Sequence, residues 1–356
     1  MWNSRRVTAG LLAGVIGLPL SSVALASAAS QPVDAPAATA MSPLATQLAQ
    51  RGLAAGEGYP GLHSLCSLEA PLVDASKRHR HSEGETAKPK PRSKPSADKR
   101  KSLGPHKVFD NLYFVGNGQV SSWALTTSEG IILIDAMNTP NQAETIIAPG
   151  MRELGLDPAD IRYLVITHGH GDHYGGQSWI VEQYAPEVIM TKIDWDMLDD
   201  PEQRIDNPRW GEPPERDHQV TDDERLTLGD TTLGMYITPG HTPGTLSLVF
   251  PVKDGDEVHH AVLWGGTGFN FGPDEARLRG YSASASRMHQ IAQEAGVDVF
   301  LSNHPKRDGT PGRIAALETR KPGGAHPFVT GDQALGSLDL LSDCTLAQAE
   351  RLRAAR

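Results

Sequence analysis

Six consecutive residues, His168-Gly169-His170-Gly171-Asp172-His173, put three imidazoles and a carboxylate on one short stretch of chain. Neutral imidazole and carboxylate are ligand types suited to zinc or a similar divalent ion, bound at about 2.0–2.2 Å. The stretch follows Tyr163-Leu164-Val165-Ile166-Thr167, an apolar, β-branched run that reads as a buried strand, and precedes a helix-like segment at 175–183. Glycine between the ligands allows tight or left-handed backbone, so that neighbouring side chains can converge on one point. A solvated histidine-rich loop or a single structural metal would be the plain alternative. Two later histidines argue for more. His241 lies in Thr238-Pro239-Gly240-His241-Thr242-Pro243-Gly244, and His304 in Leu301-Ser302-Asn303-His304-Pro305. Each follows an apolar run and so sits at an expected strand end.

This set of motifs resembles the metallo-β-lactamase superfamily, and most of all its third subclass, over about residues 110–340. The resemblance implies an α/β (α+β) fold, a four-layer αβ/βα sandwich of two mixed sheets with helices on the outer faces. It also implies two zinc ions per chain, one on His168, His170 and His241 and the other on Asp172, His173 and His304. Six N/O ligands suit two ions with positions left open for water. Ions about 3.5–4 Å apart would share a hydroxide nucleophile formed near neutral pH, and Asp172 would orient it and relay a proton to the leaving group. Asp135, ending the apolar run 131–134, resembles the superfamily's buried aspartate that braces the metal loop, with an ordinary turn or cap residue as the alternative.

The resemblance is less specific about substrate. Many superfamily hydrolases bridge both metals with an aspartate after the strand that here ends in Trp264. The equivalent point in this chain is Thr267, in Gly265-Gly266-Thr267-Gly268, and a threonine there is nearer the serine typical of the third lactamase subclass. Phe269, Asn270 and Phe271 follow, and Trp264, Phe269 and Phe271 would give the site an aromatic wall without a cation, the alternative being that these aromatics are simply core. The sequence therefore implies an exported dizinc hydrolase opening a β-lactam amide. A lactone, ester or other small neutral electrophile is the alternative substrate, and a non-catalytic zinc-binding protein the distant one. Tyr174 and Tyr281 each offer a phenol to an oxyanion. The remaining histidines, including His79, His81, His259, His260 and His289, lack ligand spacing and are expected on the surface.

The 356 residues leave room for one large domain and appendages, and a formal charge of −10 gives an acidic body unsuited to nucleic acid. Residues 1–28 read as an export signal of the Sec or twin-arginine type: Arg5 and Arg6, an apolar core too short to span a bilayer, then small-residue cleavage points near Ala26 and Ala28. This places the protein in the periplasm or outside the cell. Residues 29–105 read as a leader. Its basic, proline-containing part at 77–101 buries too little to order and is expected to be a flexible linker. Residues 106–340 form the catalytic domain, with strands near 108–115, 122–126, 131–134, 163–167, 188–191, 225–237, 245–252, 260–263 and 297–301. Helices fall near 142–154, 175–183, 194–198, 284–295 and 312–319, and residues 201–214 form a polar, proline-rich lid or rim. Residues 341–356 hold a C-terminal amphipathic helix. The cysteines, Cys66 and Cys344, pair across the chain or remain two free thiols. A small-molecule substrate is the expected partner.

Overall fold

The computed structural model describes residues 42–76 and 103–356. The expected export signal, the basic linker at 77–101, His79 and His81 lie outside the described residues.

The layering follows from alternation along the strands. In β4 (Gly130–Ile134), Ile132 and Ile134 enter the core between two sheets, while Ile131 and Leu133 point the other way, onto helices. A strand buried on both faces needs cover on both, and that requirement produces four layers. The first sheet runs in order β1 (His106–Phe109), β2 (Leu112–Phe114), β3 (Trp123–Thr127), β4, β5 (Ile161–Val165), β6 (Glu187–Thr191) and β7 (His218–Val220). Its pairing is antiparallel from β1 to β4 and parallel from β4 to β7. The second sheet runs β12 (Val299–Ser302), β11 (Glu257–Trp264), β10 (Leu246–Asp254), β9 (Thr231–Ile237), β8 (Glu224–Leu228), with only the β11–β12 pair parallel. Two mixed sheets with helices outside are the sandwich expected from the motifs.

Between the sheets, Phe114, Trp123 and Val165 meet Leu233, Leu248, Phe250 and Leu263, all buried. Each such side chain contributes about 1.5–3 kcal/mol by leaving water. On the outer face of the first sheet lie the irregular helical stretch from Pro140, ending in α2 (Ala148–Glu153), then α3 (Gly171–Tyr174), α4 (Gln177–Tyr184) and α5 (Lys192–Asp199). On the outer face of the second lie α6 (Glu275–Glu294) and α8 (Asp332–Ala354), with α7 (Thr310–Glu318) at the edge.

Three expectations need correction. The leader expected at 29–105 holds regular structure in its first half: α1 (Pro43–Ala55) and a 3₁₀ turn (Pro60–Cys66) pack on α8. Ser42 caps α1 and Pro43 fills its first turn, so the local start signal was present in the sequence. The C-terminal helix starts at Asp332, not 341, because its buried face mixes leucines with Ser337, Thr345 and Gln348 and hides the apolar period. Likewise α6 starts at Glu275, capped by Asp274, one helical stretch earlier than its weakly apolar serine-rich sequence suggests. The cysteine alternatives resolve as a Cys66–Cys344 disulfide.

Candidate metal centre

All the candidate ligands meet at one end of the sandwich. The segment 168–173 leaves the C-terminal end of β5 and enters α3; His241 sits on the β9–β10 connection; His304 follows β12. His168, His170 and His241 present ligand atoms within 4.8 Å of one another, and so do His168, Asp172 and His173. His304 completes the second group from the rim: its Nε2 lies 3.9 Å from Asp172 Oδ2, and its ring centroid 5.0 Å from that of His173.

Four of the five rings are fixed by a bond on the nitrogen turned away from the centre. His168 Nδ1 donates to the Gly265 carbonyl (2.7 Å), His241 Nδ1 to Gly268 (3.0 Å) and His304 Nδ1 to Gln119 (2.9 Å). His173 Nδ1 bonds Asp135 Oδ2 at 2.7 Å. Those bonds select the tautomer in which the opposite nitrogen carries a free lone pair. His170 Nδ1 and His241 Nε2 then face each other 3.1 Å apart, and His168 Nε2 and His173 Nε2 are buried without a hydrogen-bond partner among the described residues. Buried polar atoms left so are costly. A divalent cation would satisfy all of them, so the donor set fits a metal.

The electrostatics agree. Burial pushes the pKa of His170 down to about 4, and burial together with neighbouring imidazoles lowers those of His168, His241 and His304. These rings are neutral at pH 7 and need lose no proton to bind a metal. Burial also disfavours charge on His173, but Asp172 and Asp135 outweigh it and raise its pKa. For Asp172 burial acts upward, and the imidazoles of His173 and His304 outweigh it and hold the carboxyl below its ordinary range.

Two buried carboxylates brace the loops. Asp135, at φ +62°, accepts from Thr167 N (2.8 Å), Thr167 Oγ1 (2.9 Å) and His173 Nδ1. Asp194 had no sequence signal that set it apart. It accepts from Gly169 N, Gly244 N and Thr242 Oγ1, each at 2.7 Å, and so joins the loop of His168 to the loop of His241. Burial raises its pKa against those donors. Arg277 is the cation that the sequence reading missed: from α6 it donates to the carbonyls of Gly240 (2.6 Å) and His241 (2.5 Å). The glycines serve close approach rather than left-handed backbone. A Cβ on Gly171 would meet the Trp210 ring at 2.5 Å, and one on Gly169 would meet Met197 at 2.7 Å.

The aromatic wall is not found. Trp264 follows the inward-facing Leu263 and therefore points outward, into the helix-covered core, where its Nε1 donates to the Gly266 carbonyl (2.7 Å) and Tyr281 Oη (3.0 Å). Tyr281 is wholly buried there and donates to Gly266 (2.9 Å), so it offers no phenol to a substrate. Phe269 leans on Tyr281, and the Arg277 guanidinium lies 4.2 Å over Phe271. Asn270 gives its backbone carbonyl to Ala75, while its side-chain Oδ1 and Thr267 Oγ1 are buried without partners among the described residues. Thr267 is buried in the turn after β11. The aromatic residue that does border the centre is Trp210, stacked at 6.3 Å on His170. It belongs to the 201–214 rim, which with Tyr174 and Ser76 encloses a cavity of about 720 Å³ beside the metal loop. Tyr174 is buried, which raises its pKa. Of the outlying histidines, His259 is not a free surface group but is paired with Asp298 (2.6 Å), and His289 is paired with Asp339 (2.9 Å).

Residues 115–255 match the sequence model of the Metallo-beta-lactamase superfamily. A hydroxyacylglutathione hydrolase of Xanthomonas euvesicatoria is 30% identical over 143 residues, 40% of this chain and 44% of that protein. An N-acyl homoserine lactonase of Azorhizobium caulinodans is 29% identical over 175 residues, 44% of this chain and 62% of that protein. The chain thus spans under half the length of the first of these relatives. Among solved structures, BJP-1, a subclass B3 metallo-beta-lactamase of Bradyrhizobium japonicum, superposes with a TM-score of 0.61 at 26% identity, covering 71% of this chain and 96% of that one.

Proposed function

We propose that this chain, whose residues 115–255 match the Metallo-beta-lactamase superfamily model, is an exported dinuclear zinc hydrolase that opens the amide of a β-lactam. The observation that carries the reading is the convergence of four imidazoles, each turned by a bond on its far nitrogen, with Asp172 between two of them. His168, His170 and His241 would hold one ion; Asp172, His173 and His304 would hold the other. When bound, the ions supply an acidified water and polarise the substrate carbonyl.

The chain's own residues do the rest. Asp135 and the carbonyls of Gly265, Gly268 and Gln119 fix ring orientations, and Asp194 ties together the loops that carry them, so little reorganisation is left for the reaction. Asp172 keeps about a quarter of its side chain exposed and stands 3.6 Å from His173 Nε2. It would accept the proton of the attacking water and return it to the leaving nitrogen as the ring carbon–nitrogen bond breaks. The buried Thr267 carries no carboxylate to bridge two metals, which supports the β-lactam reading over a lactonase-like site. The disulfide supports export, because such bonds persist in oxidising compartments.

A lactone or ester substrate is the second reading, favoured by the cavity wall, where Glu202, Asp206 and Glu212 outnumber Arg204 and would repel an anionic ligand. Arg204 is itself held by Asp206 at 2.7 Å. Turnover of the zinc-loaded protein on penicillins, carbapenems, acyl lactones and aryl esters separates the two. Preferred opening of the β-lactams is expected. Turnover confined to lactones or esters would move the assignment to the second reading, and no turnover of any would reject both.

A further inference from the structure

The N-terminal segment at 42–76 lies against two loops that carry or support candidate metal ligands. Its 3₁₀ turn lies flush on the turn after His304: a Cβ on Gly61 would collide with the Lys306 carbonyl and fall 2.8 Å from that of Arg307. Arg307 donates from Nη1 to the Gly61 carbonyl (3.0 Å) and to Ser64 Oγ (2.8 Å), and its backbone N–H closes the turn onto the His304 carbonyl (2.8 Å). Farther along, Ala75 N donates to the Asn270 carbonyl (2.7 Å), and Asp74 bridges Phe271 as an isolated β pair. Asn270 is two residues from Gly268, whose carbonyl orients His241. One short segment therefore touches the supports of a candidate ligand in each metal group.

The segment is in turn anchored to α8. Cys66 and Cys344 are bonded across 278 positions of sequence. Gln348 Nε2 donates to the carbonyls of Leu65 and Ser67, both at 3.0 Å. Arg351 Nη1 donates to the carbonyls of Leu68 and Ala70. Arg51 pairs with Asp343 through both carboxylate oxygens. Along the segment, the disulfide falls between the two places that touch the metal loops, with Ser64 on one side and Asp74 on the other.

We propose that residues 42–76 are a positioning element of the metal centre, and that the Cys66–Cys344 disulfide is the fastener that sets the His304 turn and the 268–271 loop. His304 is the candidate ligand most dependent on it. His168, His170, Asp172 and His173 sit on the β5 loop, which Asp135 and Asp194 brace without help from this segment, and His241 depends on it only through the Gly268 carbonyl. The inference rests on reading His304 as a ligand, and the test includes one readout that needs no metal.

The experiment uses the full chain, wild type, with Cys66 and Cys344 both replaced by serine, and wild type reduced after folding. Hydrogen exchange is followed in metal-free protein, and zinc affinity by competition with a chromophoric chelator. The expected result is faster exchange confined to 302–308 and 266–272, with β4 and β5 unchanged, and a loss of about 10–100-fold in the weaker zinc affinity, the scale for removing support from a ligating histidine. Arg307→Gln, which keeps the disulfide, should reproduce the change at 302–308; if the double serine variant unfolds, Arg307→Gln tests the segment's hold on the His304 turn and the reduced wild type tests the disulfide. Unchanged exchange in both loops in Arg307→Gln and in the reduced protein would overturn the proposal. If wild type binds no zinc, the metal reading fails, and exchange alone still decides whether the segment positions the loops.

Discussion

Asp135→Asn is the substitution that most cleanly separates bracing from ligation. The carboxylate is buried and accepts three hydrogen bonds at 2.7–2.9 Å, two from Thr167 and one from His173. Asparagine is nearly isosteric and tolerates the φ of +62° found there, so the change adds little backbone strain. Its amide keeps one acceptor oxygen and turns an N–H₂ toward donors that previously met a carboxylate. A hydrogen bond to a charged group is worth about 1.5–3 kcal/mol, and a buried donor left unpaired costs about 1–3 kcal/mol. With the N–H₂ in the place of Oδ2, the Thr167 hydroxyl can turn to accept from it, so His173 Nδ1 is the donor orphaned and its bond the one lost, together about 2.5–6 kcal/mol, a range that contains the scale for breaking a buried charged pair. Urea denaturation of the metal-free protein should show that loss as a lower midpoint at unchanged slope. Zinc affinity should fall by about 10–100-fold, because His173 loses the bond that sets its ring. A stability loss under about 1 kcal/mol, with zinc affinity unchanged, would refute the bracing role.

Asp172→Asn, with zinc occupancy restored by excess metal, should lower kcat by about 10²–10⁴; near-normal turnover would leave Asp172 a ligand only. Trp264→Ala should cost about 3–5 kcal/mol of stability, as a core aromatic does, and leave KM within about twofold in whatever protein remains folded; a large KM change with little loss of stability would return Trp264 to the substrate site. The metal-free protein should lose stability as pH falls below about 6.5. The unfolded chain protonates His170 near its ordinary value while the folded chain resists down to about 4, a difference of up to about 3 kcal/mol from that residue. Denaturation midpoints at about pH 7 and about pH 4.5 check the sign, and a rise toward acid would contradict it.

The fold was legible where the physics is local. Runs such as Ile131-Ile132-Leu133-Ile134, short, β-branched and preceded by Gly130, read as a strand covered on both faces, and the ligand histidines declare themselves by type and spacing. What escaped depends on partners distant in sequence. Asp194 looks like any aspartate in a helical turn until folding brings Gly169, Thr242 and Gly244 to it. Trp264 and Phe269 lie within three residues of Thr267 in sequence, but the alternation of β11 sends Trp264 outward and Phe269 leans on Tyr281. Trp210 lay in a segment read only as a rim, with nothing local to say that it stacks on His170. The 42–76 segment had a legible start in Ser42-Pro43, but its docking depends on α8, nearly 300 residues later.

Metal content tests the dinuclear centre most directly. Zinc measured per folded chain after dialysis should be two, falling to one in His304→Ala while the ion on His168, His170 and His241 remains. A single ion in the wild type, unaffected by His304→Ala, would contradict the dinuclear centre.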